Sequence, residues 1–257
     1  MNLSGSDSKS AKLYKRATKS LPGGVSRNTV LRSPHPIYAD FASGFEVTDI
    51  EGAKYIDFSN NMASLLHGHA HPETNEAVKK QLERGSAYMV ATEVEVLYAE
   101  YLCQRCPSFE KIRFVNSGTE AVMAAIKAAR AFTNRPKIAK VEGAYHGLYD
   151  YAEISQTTTP KVWGSKDNPK SIPVAHGTPT SALNDVIVIP FNDSKRAIAI
   201  LEQHKQQTAA ILIDLMPHRV GLMKIESDFL ITLRKWASDN NILLIFDEVV
   251  TFRSEFS

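Results

Sequence analysis

Long apolar runs are missing from this chain of 257 residues: none approaches the ~20 needed to cross a bilayer as a helix. An excess of one charge is missing too, since 30 Lys and Arg face 28 Asp and Glu, which leaves no basic stripe for a nucleic acid. The first residues, MNLSGSDSKSAKLYKRATKSLPGG, are polar and lack the apolar core of a signal peptide, so a cytoplasmic protein is expected. Cysteine is scarce. Cys103 and Cys106 form a single C-x-x-C late in a helical stretch, with no second pair to complete a zinc site and no preceding strand to suggest a redox motif. His67, His69 and His71 alternate, but Gly68 and Pro72 mark a turn there and no carboxylate pair stands nearby, so no metal is expected. Neither G-x-G-x-x-G after a strand nor G-x-x-x-x-G-K-[ST] occurs, which excludes the usual dinucleotide and P-loop sites.

What is present is an alternation of patterns. Residues 1–11 read as loose, and a helix over about 11–20 leads into the turn LPGGV. PIYADF, FEVTDI and KYIDF then read as three strands of an antiparallel meander. Helical periods near 73–85 and 93–105 follow, then strand 112–115 and helix 118–133. Strands at 137–141, 186–190, 209–215 and 242–247 alternate with helices near 194–205 and 226–239. That order predicts an α/β fold with a mainly parallel, doubly wound sheet. Two domains are expected: an N-terminal segment over 1–65 and a large domain over 66–257. The stretch 155–185, rich in Thr, Ser, Pro and Gly, is far longer than an ordinary connection and reads as a lid.

Ligands of such sheets sit beyond the carboxyl ends of the strands. After 112–115 come Asn116, Ser117, Gly118 and Thr119, opening an Ala-rich helix. Small residues there suit either a helix cap or an anion held by free amides and the helix dipole. After 137–141 come Tyr145 and His146; the next two strands deliver Asp214, then Asp247, Glu248 and Val249. An anion cradle, an aromatic ring, an imidazole and acids on one sheet edge suit a flat, phosphate-bearing, protonatable heteroaromatic ring.

The runs LPGGV (21–25), GHAHP (68–72), NSGTEA (116–121), AYHG (144–147) and LLIFDEV (243–249) together resemble the class III, fold-type I pyridoxal-5′-phosphate aminotransferases, in the glutamate-1-semialdehyde aminomutase-like branch. The resemblance covers residues 12–257 and implies the family's large domain, preceded by part of its small domain and with its C-terminal part absent. It implies pyridoxal 5′-phosphate as cofactor, an amino acid or amino-aldehyde as substrate, and a homodimer as the complete form. Ser117, Gly118 and Thr119 would hold the phosphate, Tyr145 and Val249 the two ring faces, and Asp247 the pyridine nitrogen. His146 and Asp214 belong to the same cofactor site. Arg27 resembles the arginine that takes a substrate carboxylate, with Arg32 its rival, and 155–185 resembles a mobile gate.

Two departures stand out. Where the family has Glu-Pro and then an amide that touches the cofactor, this chain has DLMPHRVG, with His218 or Arg219 in place of the amide. The family's Schiff-base lysine lies beyond Ser257, and neither Lys224 nor Lys235 fits its position. The chain alone is therefore expected to be inactive and poorly stable, holding the cofactor at most non-covalently. The alternative is a catalytically inactive chain acting as a cofactor-binding or interaction protein.

Overall fold

The computed structural model of the protein describes residues 7–252. The chain divides into two compact units, Met1–Glu95 and Val96–Ser257. In the first unit, α1 (Lys9–Ala17) begins two residues earlier than its pattern predicts, because the Ser8 hydroxyl accepts from the Ala11 amide and caps it. The expected loose start falls partly on residues 1–6, which lie outside the described residues. Strands β1 (Ala39–Ser43), β2 (Glu46–Asp49) and β3 (Lys54–Ile56) form the expected antiparallel meander. The β2–β3 turn is closed by Asp49, whose carboxylate accepts from the Glu51 and Ala53 amides and the Tyr55 hydroxyl.

A four-residue turn, α2 (Asn60–Ala63), follows with φ between 46° and 62° at every position. Left-handed turns of non-glycine residues cost roughly 1–2 kcal/mol per residue. Asp57 offsets part of that cost: its Oδ1 accepts from the Ser59 and Asn60 amides, and its Oδ2 meets His69 Nε2 at 2.7 Å. Helix α3 (Pro72–Arg84) ends this unit, and α4 (Glu93–Arg105) runs across the division.

The second unit carries α5 (Gly118–Thr133), β4 (Lys137–Val141), the single turn α6 (Asp150–Glu153), the two-residue strands β5 (Gly164–Ser165) and β6 (Asn168–Pro169), and α7 (Thr180–Asp185). Then come β7 (Val186–Ile189), α8 (Ser194–Glu202), β8 (Thr208–Asp214), α9 (Ser227–Asp239) and β9 (Leu243–Asp247). The main sheet has the order β7-β4-β8-β9, parallel throughout. Its strands read as near-continuous Ile, Val, Leu and Ala because both faces are covered. Ala139, Val141, Ile211 and Ile213 pack with α8 and α9 through Leu201, Phe229 and Leu233. Ile138, Ala210 and Leu212 pack with α5 through Val122 and Ile126. After β4 the chain moves outward to β7, and after β8 it moves the other way to β9. The β4–β8 pair is thus a switch point, where α/β sheets bind ligands.

One expectation is corrected. Residues 111–115 form no strand, because an extended segment becomes one only when a neighbour completes its ladder and none does so among the described residues. Phe114 instead stacks on Tyr98, ring centroids 5.2 Å apart. The long stretch 155–185, expected as a lid, contains the small β5–β6 hairpin and α7, and its first residue bonds to the segment that follows the hairpin. The Ser155 amide donates to Ile172 O, and the Ser155 hydroxyl donates to Lys170 O and accepts from the Ile172 amide.

Packing predicts a contrast between two phenylalanines. Phe229 is 1% exposed under the sheet, whereas Phe132 on α5 is 81% exposed. Phe229→Ala is expected to destabilise the chain by about 3–5 kcal/mol in denaturant unfolding, and Phe132→Ala by no more than about 0.5 kcal/mol.

Candidate active site at the carboxyl edge of the parallel sheet

At the start of α5, Ser117 is extended (φ −153°, ψ 160°) and its Oγ accepts from the Glu120 amide at 3.2 Å. Glu120 reaches back to the Asn116 amide, a reciprocal cap. The amides of Gly118 and Thr119, in the helix's first turn, have no acceptor among the described residues. The Thr119 hydroxyl accepts from the Leu148 amide at 3.3 Å and so ties the helix start to the loop that follows β4.

That loop comes very close. A Cβ on Gly147 (φ +91°) would stand 2.5 Å from Thr119 Oγ1 and 2.9 Å from its Cα, so only glycine fits there. Beside it lie Tyr145, half-buried, and His146, 1% exposed. His146 Nδ1 meets Asp247 Oδ2 at 2.8 Å, which assigns the ring proton to Nδ1. His146 Nε2 is buried without a partner among the described residues. Burial lowers the imidazole pKa and so favours its neutral form, although the hydrogen bond that His146 donates to Asp247 opposes the shift. Asp247 Oδ1 accepts from the Val249 amide at 3.2 Å. The Val249 side chain is 81% exposed, with its Cγ2 3.7 Å from the place a Cβ would take on Gly118.

Parallel register sets Asp214 at the end of β8 directly beside Asp247 at the end of β9. Asp214 is 4% exposed and accepts from the Met216 amide at 2.8 Å. Burial raises its pKa, and the neighbouring Asp247 adds to the shift. The DLMPHRVG run turns over Tyr145: His218 meets the ring edge-on at a centroid distance of 5.8 Å, and the Arg219 guanidinium carbon stands 5.1 Å from the ring centre. Val220 from the same turn lies against Gly143.

Eight of the nine residues singled out from the sequence thus come together in the second unit. Arg27, the ninth, belongs to the first unit, where its Nη1 donates to Asn61 Oδ1 at 3.1 Å. Arg32, its rival, spends Nη1 on the carbonyls of Thr29 and Leu31. His67 and His71 stack on each other, and no metal cluster exists among the described residues. Cys103 and Cys106 are free thiols.

One residue escaped sequence reasoning: Lys140, wholly buried on β4, with burial pushing its pKa down to about 7. The signal was a lysine between Ala139 and Val141, on the same side of the strand as Ile138.

The class-III aminotransferase family profile matches residues 29–252. The chain belongs to that family. Pyridoxal 5′-phosphate is the family's cofactor. Glutamate-1-semialdehyde 2,1-aminomutase of Methanothermobacter thermautotrophicus is 39% identical over 243 residues, 95% of this chain and 56% of that protein. An ω-transaminase from Sphaerobacter thermophilus superposes with a TM-score of 0.94 at 46% identity, over 97% of this chain and 57% of that one. A transaminase with PLP bound gives 0.89 at 43% identity, over 96% and 57%. This chain therefore spans little more than half the length of these relatives.

The acid pair predicts a pH dependence. A raised folded-state pKa makes Asp214 favour the fold below the ordinary aspartate range, a contribution lost as pH climbs through the raised value. At neutral pH the buried charge is a burden. Asp214→Asn keeps the Oδ1 acceptor and removes the charge, so the cofactor-free chain is expected to melt higher at pH 7, by about 2–4 °C for each kcal/mol recovered. The gap should close below about pH 4, where Asp214 is itself protonated.

Proposed function

We propose that the chain forms the N-terminal part of a pyridoxal-phosphate-dependent aminotransferase or aminomutase acting on an amino acid or amino-aldehyde. Residues 1–65 contribute to its small domain and 66–257 to its large domain. The observation that carries this assignment is the conjunction at one sheet edge of two free helix-start amides and the buried His146–Asp247 pair.

The residues fit the cofactor. Gly118 and Thr119 offer amides to a phosphate. The hydroxyls of Ser117 and Thr119, which use their lone pairs within the chain, still have O–H protons to donate. Tyr145 and Val249 supply surfaces for the two faces of a ring, and Asp247 supplies an acceptor for a pyridinium N–H, with His146 fixing its direction. Bound there, pyridoxal phosphate supplies an electron sink for bonds to the substrate's reacting carbon. Arg27 is the better carboxylate binder of the two arginines, because its only hydrogen-bond partner among the described residues is a neutral amide whereas Arg32 is occupied by its own loop.

The cofactor-anchoring lysine is not among the candidates here. Lys235 pairs with Asp239 on the outer face of α9, and Lys140 is sealed with three carbonyls on its amine. The relatives' extra length provides room for such a lysine. A homodimer is proposed for the complete protein: Val94, Val96, Leu97, Tyr98 and Tyr101 of α4 are each 52–55% exposed, an apolar helix surface suited to a partner. A cytoplasmic setting agrees with the absence of any helix among the described residues long and apolar enough to cross a membrane.

Two experiments test the assignment. Ser117→Ala with Thr119→Ala is expected to weaken pyridoxal phosphate binding by about tenfold or more, since hydrogen bonds to a charged group contribute about 1.5–3 kcal/mol each; unchanged affinity would reduce the pair to a helix cap. Borohydride treatment and peptide mapping of the 257-residue chain with pyridoxal phosphate should label no lysine specifically. A specific label together with turnover would refute the assignment of the anchoring lysine to a further part of the protein.

A further inference from the structure

Lys140 occupies a core position on β4, 0% exposed, on the face of the sheet covered by α5. A buried ammonium is expensive unless each of its donors is used. Here Nζ donates to Val141 O at 3.1 Å, Ala144 O at 3.0 Å and Ile154 O at 2.7 Å, which accounts for all three N–H groups. These carbonyls are not a random set. Val141 ends the strand, Ala144 immediately precedes Tyr145, and Ile154 follows α6 at the far end of the same excursion. One side chain fastens both ends of the loop that carries Tyr145, His146 and Gly147.

An apolar residue of similar volume would fill the space at no desolvation cost, yet it would strip the Ala144 and Ile154 carbonyls of the donor they have. Glu142, the acid whose charge acts on Lys140, forms no ion pair with it among the described residues; its carboxylate accepts from the Thr158 hydroxyl instead. An anchor made of carbonyl contacts fixes backbone position rather than pairing charge.

We propose that Lys140 is a positioning residue of the cofactor seat: its ammonium holds the 141–154 loop so that the Tyr145 ring and the His146–Asp247 contact keep their places. The inference rests on the assignment of this sheet edge as the pyridoxal phosphate site. It predicts a selective effect, because the phosphate-facing amides belong to α5 and not to the loop that Lys140 holds.

The test is separate titration of the 257-residue chain with pyridoxal phosphate and with inorganic phosphate, in the wild type and in Lys140→Met. The His146 imidazole is followed in parallel by ¹H–¹⁵N NMR. The expected result is a rise of about tenfold or more in the dissociation constant for pyridoxal phosphate, with inorganic phosphate changed less than about twofold and the His146 Nδ1 signal displaced. Equal weakening of both ligands, or no weakening of either, would overturn the positioning role. If the wild type binds pyridoxal phosphate no better than phosphate, the cofactor assignment fails, and the His146 signal alone decides: displaced in the variant, Lys140 still positions the loop; unmoved, it does not. Should Lys140→Met fail to fold, Lys140→Gln, which retains two N–H donors, is read by the same criteria.

Discussion

The second unit's site depends on a carboxylate held by a buried imidazole. His146 and Asp247 are 101 residues apart in the chain, and their 2.8 Å contact requires three separate structures to be right at once. Strand β9 must pair with β8 in a register that puts Asp247 at the edge. The loop after β4 must turn sharply enough to bring His146 back under the sheet end. Gly147 must then pass so close to Thr119 that no side chain could stand there. The same chain of contacts joins the helix start at Ser117 to the acid at Asp247, while the free amides of Gly118 and Thr119 are placed by α5 itself.

That arrangement concentrates ionisable groups whose charged forms burial disfavours. Burial raises Asp214, lowers His146 and lowers Lys140. Burial makes each charge costly, and for Lys140 three carbonyls offset only part of that cost. The compensating stability comes from elsewhere: the apolar layer of Ile211, Ile213, Leu201, Phe229 and Leu233 between sheet and helices contains no ionisable side chain. Sites that a protein builds for a ligand commonly cost stability that the core must supply.

The alternation of β4, β7, β8 and β9 with their helices was legible in the sequence because each strand is a short apolar run and each helix has one apolar face. Asp214, His146 and Asp247 were legible as candidates for the sheet edge, where the structure brings them together, because polar groups that end such strands have few structural reasons to be there. Residues 112–115 misled, since Ile112, Phe114 and Val115 favour extended backbone while strand formation also needs a neighbour, which local composition does not report. For the stretch 155–185 the composition reported a long connection but not the hydrogen bonds by which Ser155 joins the segment after the hairpin. Lys140 was overlooked because helix and strand patterns treat a lysine as a surface residue. Only the tertiary structure shows three carbonyls converging on it.

The start of α5 shows why a helix cap and an anion site need not compete. Capping uses oxygen lone pairs: Ser117 Oγ accepts from Glu120 and Glu120 accepts from Asn116, while Thr119 Oγ1 accepts from Leu148 of the neighbouring loop. Anion binding uses protons: the hydroxyl hydrogens of the same two residues and the amides of Gly118 and Thr119, which no group of the chain takes up among the described residues. A hydroxyl is both donor and acceptor, so one serine can terminate the helix and face a phosphate in the same rotamer. The cap thereby orients the donors that an anion needs, and removal of either hydroxyl should disturb helix stability and ligand affinity together. In the proposed cofactor site, the short Asn-Ser-Gly-Thr run would meet both roles with the same atoms.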